Sequence, residues 1–317
     1  MSSLYIPPKE VPVRIVGLSS SRALFSRHHR SPYFWHHPFG EEFADQWWYI
    51  VPGSGSHQGK YLIKSKHTQE VIFSRTHMKP NVGTIDSDGK YEDNWFVLEP
   101  GTGQRINNFR LVCPYSDTIL FSRTHQDPQV DNWGSGNTKY DDQYFRLFFE
   151  NMVFKGIKFN VDEGKILDTT PIMLARSNLS NNSSVDQKIS STFKEATENE
   201  SSFEYTLGFA VEVGTSFSCG VPLLAEGKIE VSATVSNEFK WGSTTKKVTE
   251  FSATFEATAP PHSTVVASAT VTRSVMQVPF TMTWTSPEHG YEVKTEGAYR
   301  GVQFYDLKCD YTEPRSS

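Results

Sequence analysis

Three sets of polar and aromatic residues recur in the first half of the chain at a constant interval. The tripeptide Phe-Ser-Arg begins at residues 25, 73 and 121. In each copy a His follows two residues after the Arg, and a Pro follows three residues after that His. Each copy then closes with an aromatic residue, an Asp, a Gln or Asn and two further aromatic residues. This recurrence indicates an internal repeat that could carry one site per copy.

The residue types in each copy suit a ligand that carries many hydroxyl groups. Carboxylate and amide oxygens accept hydrogen bonds from hydroxyls, a His supplies a second polar contact, and an aromatic face packs under the C–H surface of a sugar ring. The sequence therefore predicts three carbohydrate pockets. Their residues are His29, Trp35, Asp45 and Gln46 in the first repeat; His77, Tyr91, Asp93 and Asn94 in the second; and His125, Asp142 and Gln143 with Trp133 or Tyr140 in the third. The Arg of each tripeptide either forms a salt bridge to the Asp of its repeat or contacts the sugar.

The elements around these residues read as β-strands. Short β-branched and aromatic runs alternate with Gly, Pro, Asn and Asp, and no helical period is visible. Three all-β repeats of this length predict a β-trefoil, because a propeller needs at least four blades. Successive side chains on a strand point opposite ways. We therefore expect Trp48, Phe96 and Phe145 in the core, with Trp47, Trp95 and Tyr144 facing the other way.

The second half contains a long alternating segment, residues 203–241. Apolar residues occupy the odd positions of both arms, which predicts two strands of about 15 residues, each about 50 Å long. The turn between them is apolar at Val221, Pro222, Leu223 and Leu224. The arm length and the apolar tip favour a hairpin that inserts into a membrane, over the alternative of an ordinary strand pair with one buried face. A hairpin cannot span lipid alone, so the pattern also predicts a homo-oligomer that closes a β-barrel in the target membrane.

Length and composition set the remaining expectations. The 317 residues suit two domains, which we place at residues 1–151 and 152–317. We expect an all-β chain, with an elongated sheet in the second domain built from Thr249–Phe255, Thr264–Thr272 and Phe280–Trp284. The polar tract at residues 178–199 is interpreted as solvated sequence. A net charge of −5 gives no basic footprint for nucleic acid.

Other features narrow the function. Cys113, Cys219 and Cys309 match no metal-ligand spacing and are expected to be free thiols. The first residues lack the basic and apolar regions of a secretory signal peptide. This predicts synthesis in the cytoplasm and action at the surface membrane of target cells. Motifs for hydrolase, metalloprotease or phosphate-binding chemistry are absent from the sequence, so we expect no enzyme activity, metal or cofactor. An agglutinin whose second half only assembles subunits remains the alternative.

Short motifs occur along the chain in a fixed order: Tyr5–Pro8, Ser74–Arg75, Asp93–Phe96, Ser122–His125, Asp142–Phe145, Ala225–Gly227 and Glu296–Gly301. Over essentially the whole chain, these motifs resemble those of the haemolytic lectin family of Laetiporus sulphureus and its fungal relatives. The resemblance implies a β-trefoil that binds galactose-type sugars such as lactose and N-acetyllactosamine, fused to an aerolysin-like pore-forming module. It also implies that the second and third repeats bind sugar, while the first keeps enough of the pattern to leave a third site open.

Overall fold

The computed structural model describes residues 4–40, 43–136, 138–225, 227–231, 237–312 and 315–316. It divides into two compact units. The first comprises Met1–Val153, Leu207–Phe209 and Trp284–Val293, and the second comprises Phe154–Thr206, Ala210–Thr283 and Lys294–Ser317. Within these described ranges, no helix combines the length and apolar character needed to cross a membrane.

The first unit contains twelve short strands in the described residues, four from each repeat. They pair into a single antiparallel sheet system in which the first and fourth strands of successive repeats are neighbours. The strands are β1 (Val13–Gly17), β2 (Ala23–Ser26), β3 (Phe34–His37), β4 (Trp48–Pro52), β5 (Tyr61–Ser65), β6 (Val71–Ser74), β7 (Val82–Ile85), β8 (Val97–Pro100), β9 (Phe109–Cys113), β10 (Thr118–Ser122), β11 (Val130–Gly134) and β12 (Phe145–Phe149).

The core of this unit confirms the predicted faces of the repeat signature. Trp48, Phe96 and Phe145 are fully buried in one apolar cluster, and this threefold arrangement of strands around a shared core is a β-trefoil. The all-β prediction is therefore confirmed. Their sequence neighbours face away from this cluster, and each is covered by a different polar side chain. The pairs are Trp47 under Arg14, Trp95 under His57 and Tyr144 under Arg105.

The second unit is dominated by strands much longer than the usual five or six residues. β21 pairs with β13, β14, β22 and β23, and β22 connects it through β15 to the edge strand β20. The strands are β13 (Val153–Phe159), β14 (Lys165–Asn181), β15 (Gln187–Gly208), β16 (Ser216–Cys219), β17 (Pro222–Ala225), β18 (Lys228–Val231), β19 (Asn237–Lys240), β20 (Thr245–Ala259), β21 (Ser263–Thr285), β22 (Glu292–Tyr311) and β23 (Arg315–Ser316).

The polar tract at residues 178–199, which was interpreted as solvated sequence, is mostly exposed but belongs to regular strands. It contains the end of β14 and much of β15, and Gln187 to Ser201 pair residue by residue with Ala259 to Thr245 of β20. Ser and Thr have the short side chains that a pleated surface accepts. Leu179 and Phe255 anchor the buried side in one apolar cluster.

The alternating segment also departs from its predicted bounds. Residues up to Gly208 belong to β15, and the hairpin proper begins at Ser216. It consists of two short antiparallel ladders, β16 with β19 and β17 with β18. The predicted continuous arms are therefore wrong for this structure. Residues 226 and 232–236 of the predicted hairpin lie outside the described residues.

The hairpin is packed against the sheet by aromatic rings. Phe203 of β15 lies 5.0 Å from Phe217 and 5.1 Å from Phe239, measured between ring centroids. Trp241 and Phe280 approach edge to face at 6.3 Å. These contacts bury Phe217, Phe239 and Trp241 of the alternating pattern, whereas Val213 and Val231 are exposed. The side of the hairpin that carries Glu230 and Glu238 is exposed.

Candidate functional site

The Arg of each Phe-Ser-Arg tripeptide is fixed in the same way in all three repeats. Its guanidinium carbon lies over the Phe ring two residues earlier, at 4.3, 4.1 and 4.4 Å from the ring centroid. Its Nε donates to the carbonyl oxygen of the Pro five residues later, at 3.1 to 3.2 Å. Because the guanidinium is held by the Phe ring on one face and by the Pro carbonyl at Nε, its remaining N–H groups point in a fixed direction. The three residues are Arg27, Arg75 and Arg123.

A short 3₁₀ turn carries the Asp of each site. These turns span Ala44–Gln46, Glu92–Asn94 and Asp141–Gln143, immediately before the fourth strand of each repeat. In the third repeat, Arg123 lies 3.7 Å from Asp142, and both side chains are largely buried. The Arg and Asp are therefore paired there, which is one of the two roles that the sequence left open for the Arg.

The two later sites have matching electrostatics. Burial raises the pKa of Asp93, while the positive charges of Arg75 and His77 oppose that shift. Burial likewise raises the pKa of Asp142, opposed by Arg123 and His125. A partly desolvated carboxylate beside a fixed cation is a strong hydrogen-bond acceptor for a hydroxyl.

In the second repeat these residues line a pocket of about 480 Å³. Its walls bring together His77, Tyr91 and Asp93, as predicted, with Arg75 and Tyr115. Tyr91 is 45% exposed, and Nζ of Lys90, which lines the same pocket, lies 5.5 Å from the centroid of its ring. The volume falls in the range of small-molecule sites.

The third repeat has two exposed aromatic residues among those predicted for its site. Trp133 is 62% exposed and Tyr140 is 56% exposed. His125 is exposed as well. The Asp142 carboxylate, by contrast, is largely buried beside Arg123.

The first repeat differs from the other two. Its predicted aromatic, Trp35, pairs across the strands with Phe25 and is half-buried against the trefoil core. The residue that precedes the 3₁₀ turn, where the other repeats have Tyr91 and Tyr140, is Phe43. Asp45 is half-buried and His29 is exposed.

The predicted amide ligands are also corrected by the structure. Gln46, Asn94 and Gln143 are buried, with at most 3% of each side chain exposed. Gln46 donates to the carbonyl of Pro38, and Asn94 accepts from Ser87. These amides hold the 3₁₀ turns in place instead of facing a ligand. Asn94 also donates from Nδ2 to Oδ1 of Asp93 at 3.2 Å, so this buried amide contacts the carboxylate of the site.

Sequence analysis missed the residues that the first and second sites receive from a neighbouring turn. Tyr115, in the turn between β9 and β10, lines the pocket of the second repeat. His67 lies in the turn between β5 and β6, and the centroid of its ring is 6.5 Å from the ring centroid of His29 in the first repeat. Tyr115 and His67 each lie two residues after the end of the first strand of the next repeat. This equal spacing is visible in the sequence and could have identified both residues.

The apolar tip of the hairpin is partly covered. Pro222 and Leu224 are buried, Val221 is half-buried, and Leu223 is 38% exposed. The backbone N–H of Leu224 donates to Oε1 of Gln303 at 2.8 Å, which ties the tip to β22. All three cysteines are free thiols, as predicted.

A β-trefoil whose repeats carry the same Arg-over-Phe arrangement, together with a long-stranded unit that has a docked hairpin, defines a protein of the lectin and pore-forming toxin type. The model of the Clostridium epsilon toxin ETX/Bacillus mosquitocidal toxin MTX2 family matches residues 118–308, and the chain belongs to this family.

Three solved structures are similar to parts or all of the chain. The BEL β-trefoil is 35% identical, with 45% of this chain and 96% of that chain covered and a TM-score of 0.42. Parasporin-2 of Bacillus thuringiensis, a toxin that recognizes cancer cells, is 14% identical, with 65% and 87% covered and a TM-score of 0.37. Lamprey immune protein is 14% identical, with 95% and 97% covered and a TM-score of 0.39. No curated protein sequence matches the chain.

Proposed function

We propose that this protein is a galactoside-binding haemolytic lectin that assembles on glycan-bearing membranes and inserts its hairpin to form a β-barrel pore. The observation that carries the proposal is the repeated arrangement in the second and third repeats. Each combines a partly buried Asp, an Arg fixed over a Phe ring, a His and an exposed aromatic ring.

This arrangement suits galactose because of the shape of that sugar. The axial 4-hydroxyl of galactose leaves one face of the ring with a continuous C–H surface. That face can pack on Tyr91 or Tyr140, while the hydroxyls at the ring edge donate to Asp93 or Asp142. The resemblance of the repeat motifs to the fungal haemolytic lectins supports the same sugar class, including lactose and N-acetyllactosamine.

The membrane step is assigned to the hairpin and its flanking strands. Membership of a toxin family and the apolar tip support this assignment. In the pore, the arms alternate between lipid-facing apolar residues and lumen-facing polar residues such as Glu230 and Glu238. Several copies are needed, since only a closed barrel satisfies every backbone hydrogen bond in lipid. The site of action is the surface membrane of target cells, and the mechanism needs no catalytic step or cofactor.

The sugar assignment is tested by calorimetry with lactose. We expect Asp93→Ala with Asp142→Ala to reduce affinity at least tenfold, because removing a charged acceptor leaves buried hydroxyls without a partner. The matched control is Asp141→Ala. Asp141 lies in the same 3₁₀ turn as Asp142 but pairs with Arg105 at 2.6 Å. Unchanged lactose affinity in the double variant would refute the proposed sites.

A further inference from the structure

A second pocket adjoins the one that contains Asp93. Its volume is about 620 Å³, and it lies between the loop before β3 and the hairpin formed by β6 and β7. Phe73, Arg75 and Ile85 line both pockets, so the two meet along these side chains. The second pocket is therefore a direct neighbour of the first, separated from it by these three side chains.

The residue that pairs with the tripeptide Phe across the hairpin differs between the repeats. Phe73 pairs with Gly83, whereas the equivalent Phe25 and Phe121 pair with Trp35 and Asp131. A Cβ on Gly83 would lie 2.8 Å from Cζ of Phe73. The Phe73 ring therefore packs directly against the Gly83 backbone, at a position where the other two repeats carry the larger residues Trp35 and Asp131.

The walls of the second pocket match an uncharged sugar. Tyr33 is 59% exposed and offers a ring for packing. Glu70 is anchored, because one of its oxygens accepts from Thr84 at 2.7 Å while the other lies 3.1 Å from Nε2 of His28. A fixed carboxylate accepts from neutral hydroxyls and disfavours a carboxylated sugar.

We propose that the second repeat binds an oligosaccharide, with galactose beside Asp93 and the following neutral sugars between Gly83, Tyr33 and Glu70. The third repeat then binds galactose alone. This inference rests on the proposed galactoside function and adds a second, extended subsite with its own residues.

The test uses the full chain in two forms. Asp45→Ala with Asp142→Ala leaves only the second site, and Asp45→Ala with Asp93→Ala leaves only the third. Calorimetry compares lactose with lacto-N-neotetraose, a neutral tetrasaccharide that ends in galactose. We expect the second-site form to bind the tetrasaccharide at least tenfold more tightly than lactose, and the third-site form to bind both about equally.

Adding His28→Ala and Tyr33→Ala to the second-site form should bring the preference below about threefold with lactose affinity unchanged. Both side chains are exposed, so folding is not at risk. The control is Thr124→Ala, which changes the third-repeat counterpart of His28. If the second-site form binds lactose but shows no preference for the tetrasaccharide, the extended subsite is wrong while the galactoside site stands. The same conclusion follows if the preference persists after His28→Ala and Tyr33→Ala are added. Loss of lactose binding by both forms would overturn the galactoside function and this inference with it.

Discussion

Ser26, Ser74 and Ser122 are fully buried and connect the three repeats. Each hydroxyl contacts a side chain from the third strand of another repeat: Thr84, Asn132 and His36 respectively. This buried network closes the trefoil with satisfied hydrogen bonds, which costs less than burying the same groups unpaired. Only one of the three connections contains an ionisable side chain.

That ionisable side chain, His36, predicts how the stability of the trefoil depends on pH. Its Nε2 lies 3.0 Å from Oε1 of Gln129 and its Nδ1 lies 2.7 Å from the Ser122 hydroxyl, an arrangement that fits a neutral ring with the hydrogen on Nε2. Burial lowers the pKa of His36, and the nearby charges of Arg22 and His37 act in the same direction. The folded state therefore resists protonation more than the unfolded chain does.

We expect the free energy of unfolding to fall as the pH drops below about 6.5, where the unfolded histidine gains its proton first. The loss is about 1.4 kcal/mol for each unit by which the folded pKa is depressed, and it is complete below the folded pKa. His36→Asn copies Asn132 of the third repeat and should flatten this dependence. Denaturant unfolding of the unchanged protein and of His36→Asn at pH 7.5, 6 and 5 measures the free energy of unfolding of both. An equal slope against pH in both proteins would show that His36 is not the group responsible.

Among the elements of the fold, the sequence predicted those that show a clear hydrophobic period or an internal repeat. The repeats, the trefoil, the buried Trp48 and the strands around Phe255 and Phe280 followed from alternation. The bounds of the hairpin could not be predicted in this way, because the same alternation fits either one long arm or two short ladders. The docked form is chosen by rings distant in sequence, such as Phe203 against Phe239, and that contact leaves no local signal.

The tip of the hairpin gives a prediction about insertion. Leu224 is buried in this structure, so an Asp there would disturb the fold, whereas Leu223 is 38% exposed and can be changed cleanly. Leu223→Asp should leave folding and sugar binding unchanged but reduce red-cell lysis at least tenfold. A carboxylate in the bilayer core costs about 2.5 to 3.5 kcal/mol, and the cost recurs in every subunit.

Val185→Asp provides the matched control for this variant. Val185 is 63% exposed and lies in the connection between β14 and β15, away from the hairpin. It introduces the same charge without placing it in the proposed membrane segment. Full lysis by Leu223→Asp, or an equal loss in Val185→Asp, would remove the tip from the mechanism.

For the whole molecule, the proposed function assigns glycan binding to one unit of the chain and membrane insertion to the other. The candidate site was predicted at the residues that repeat, such as Asp93 and Asp142, since repetition at equal intervals is visible in the sequence. It was not predicted at Tyr115, because a residue from another repeat enters the pocket only through tertiary folding. The amide beside each Asp was assigned wrongly for the same reason: its direction is set by the turn.

The central claim is that sugar recognition and membrane permeation belong to one protein. Calcein release from liposomes tests it directly, with vesicles that carry a galactose-terminated glycolipid and vesicles that carry none. The account predicts release only from the glycolipid vesicles, inhibition by free lactose, and at least tenfold less release by Asp93→Ala with Asp142→Ala. Clumping of the glycolipid vesicles without release would contradict the account and identify the protein as an agglutinin.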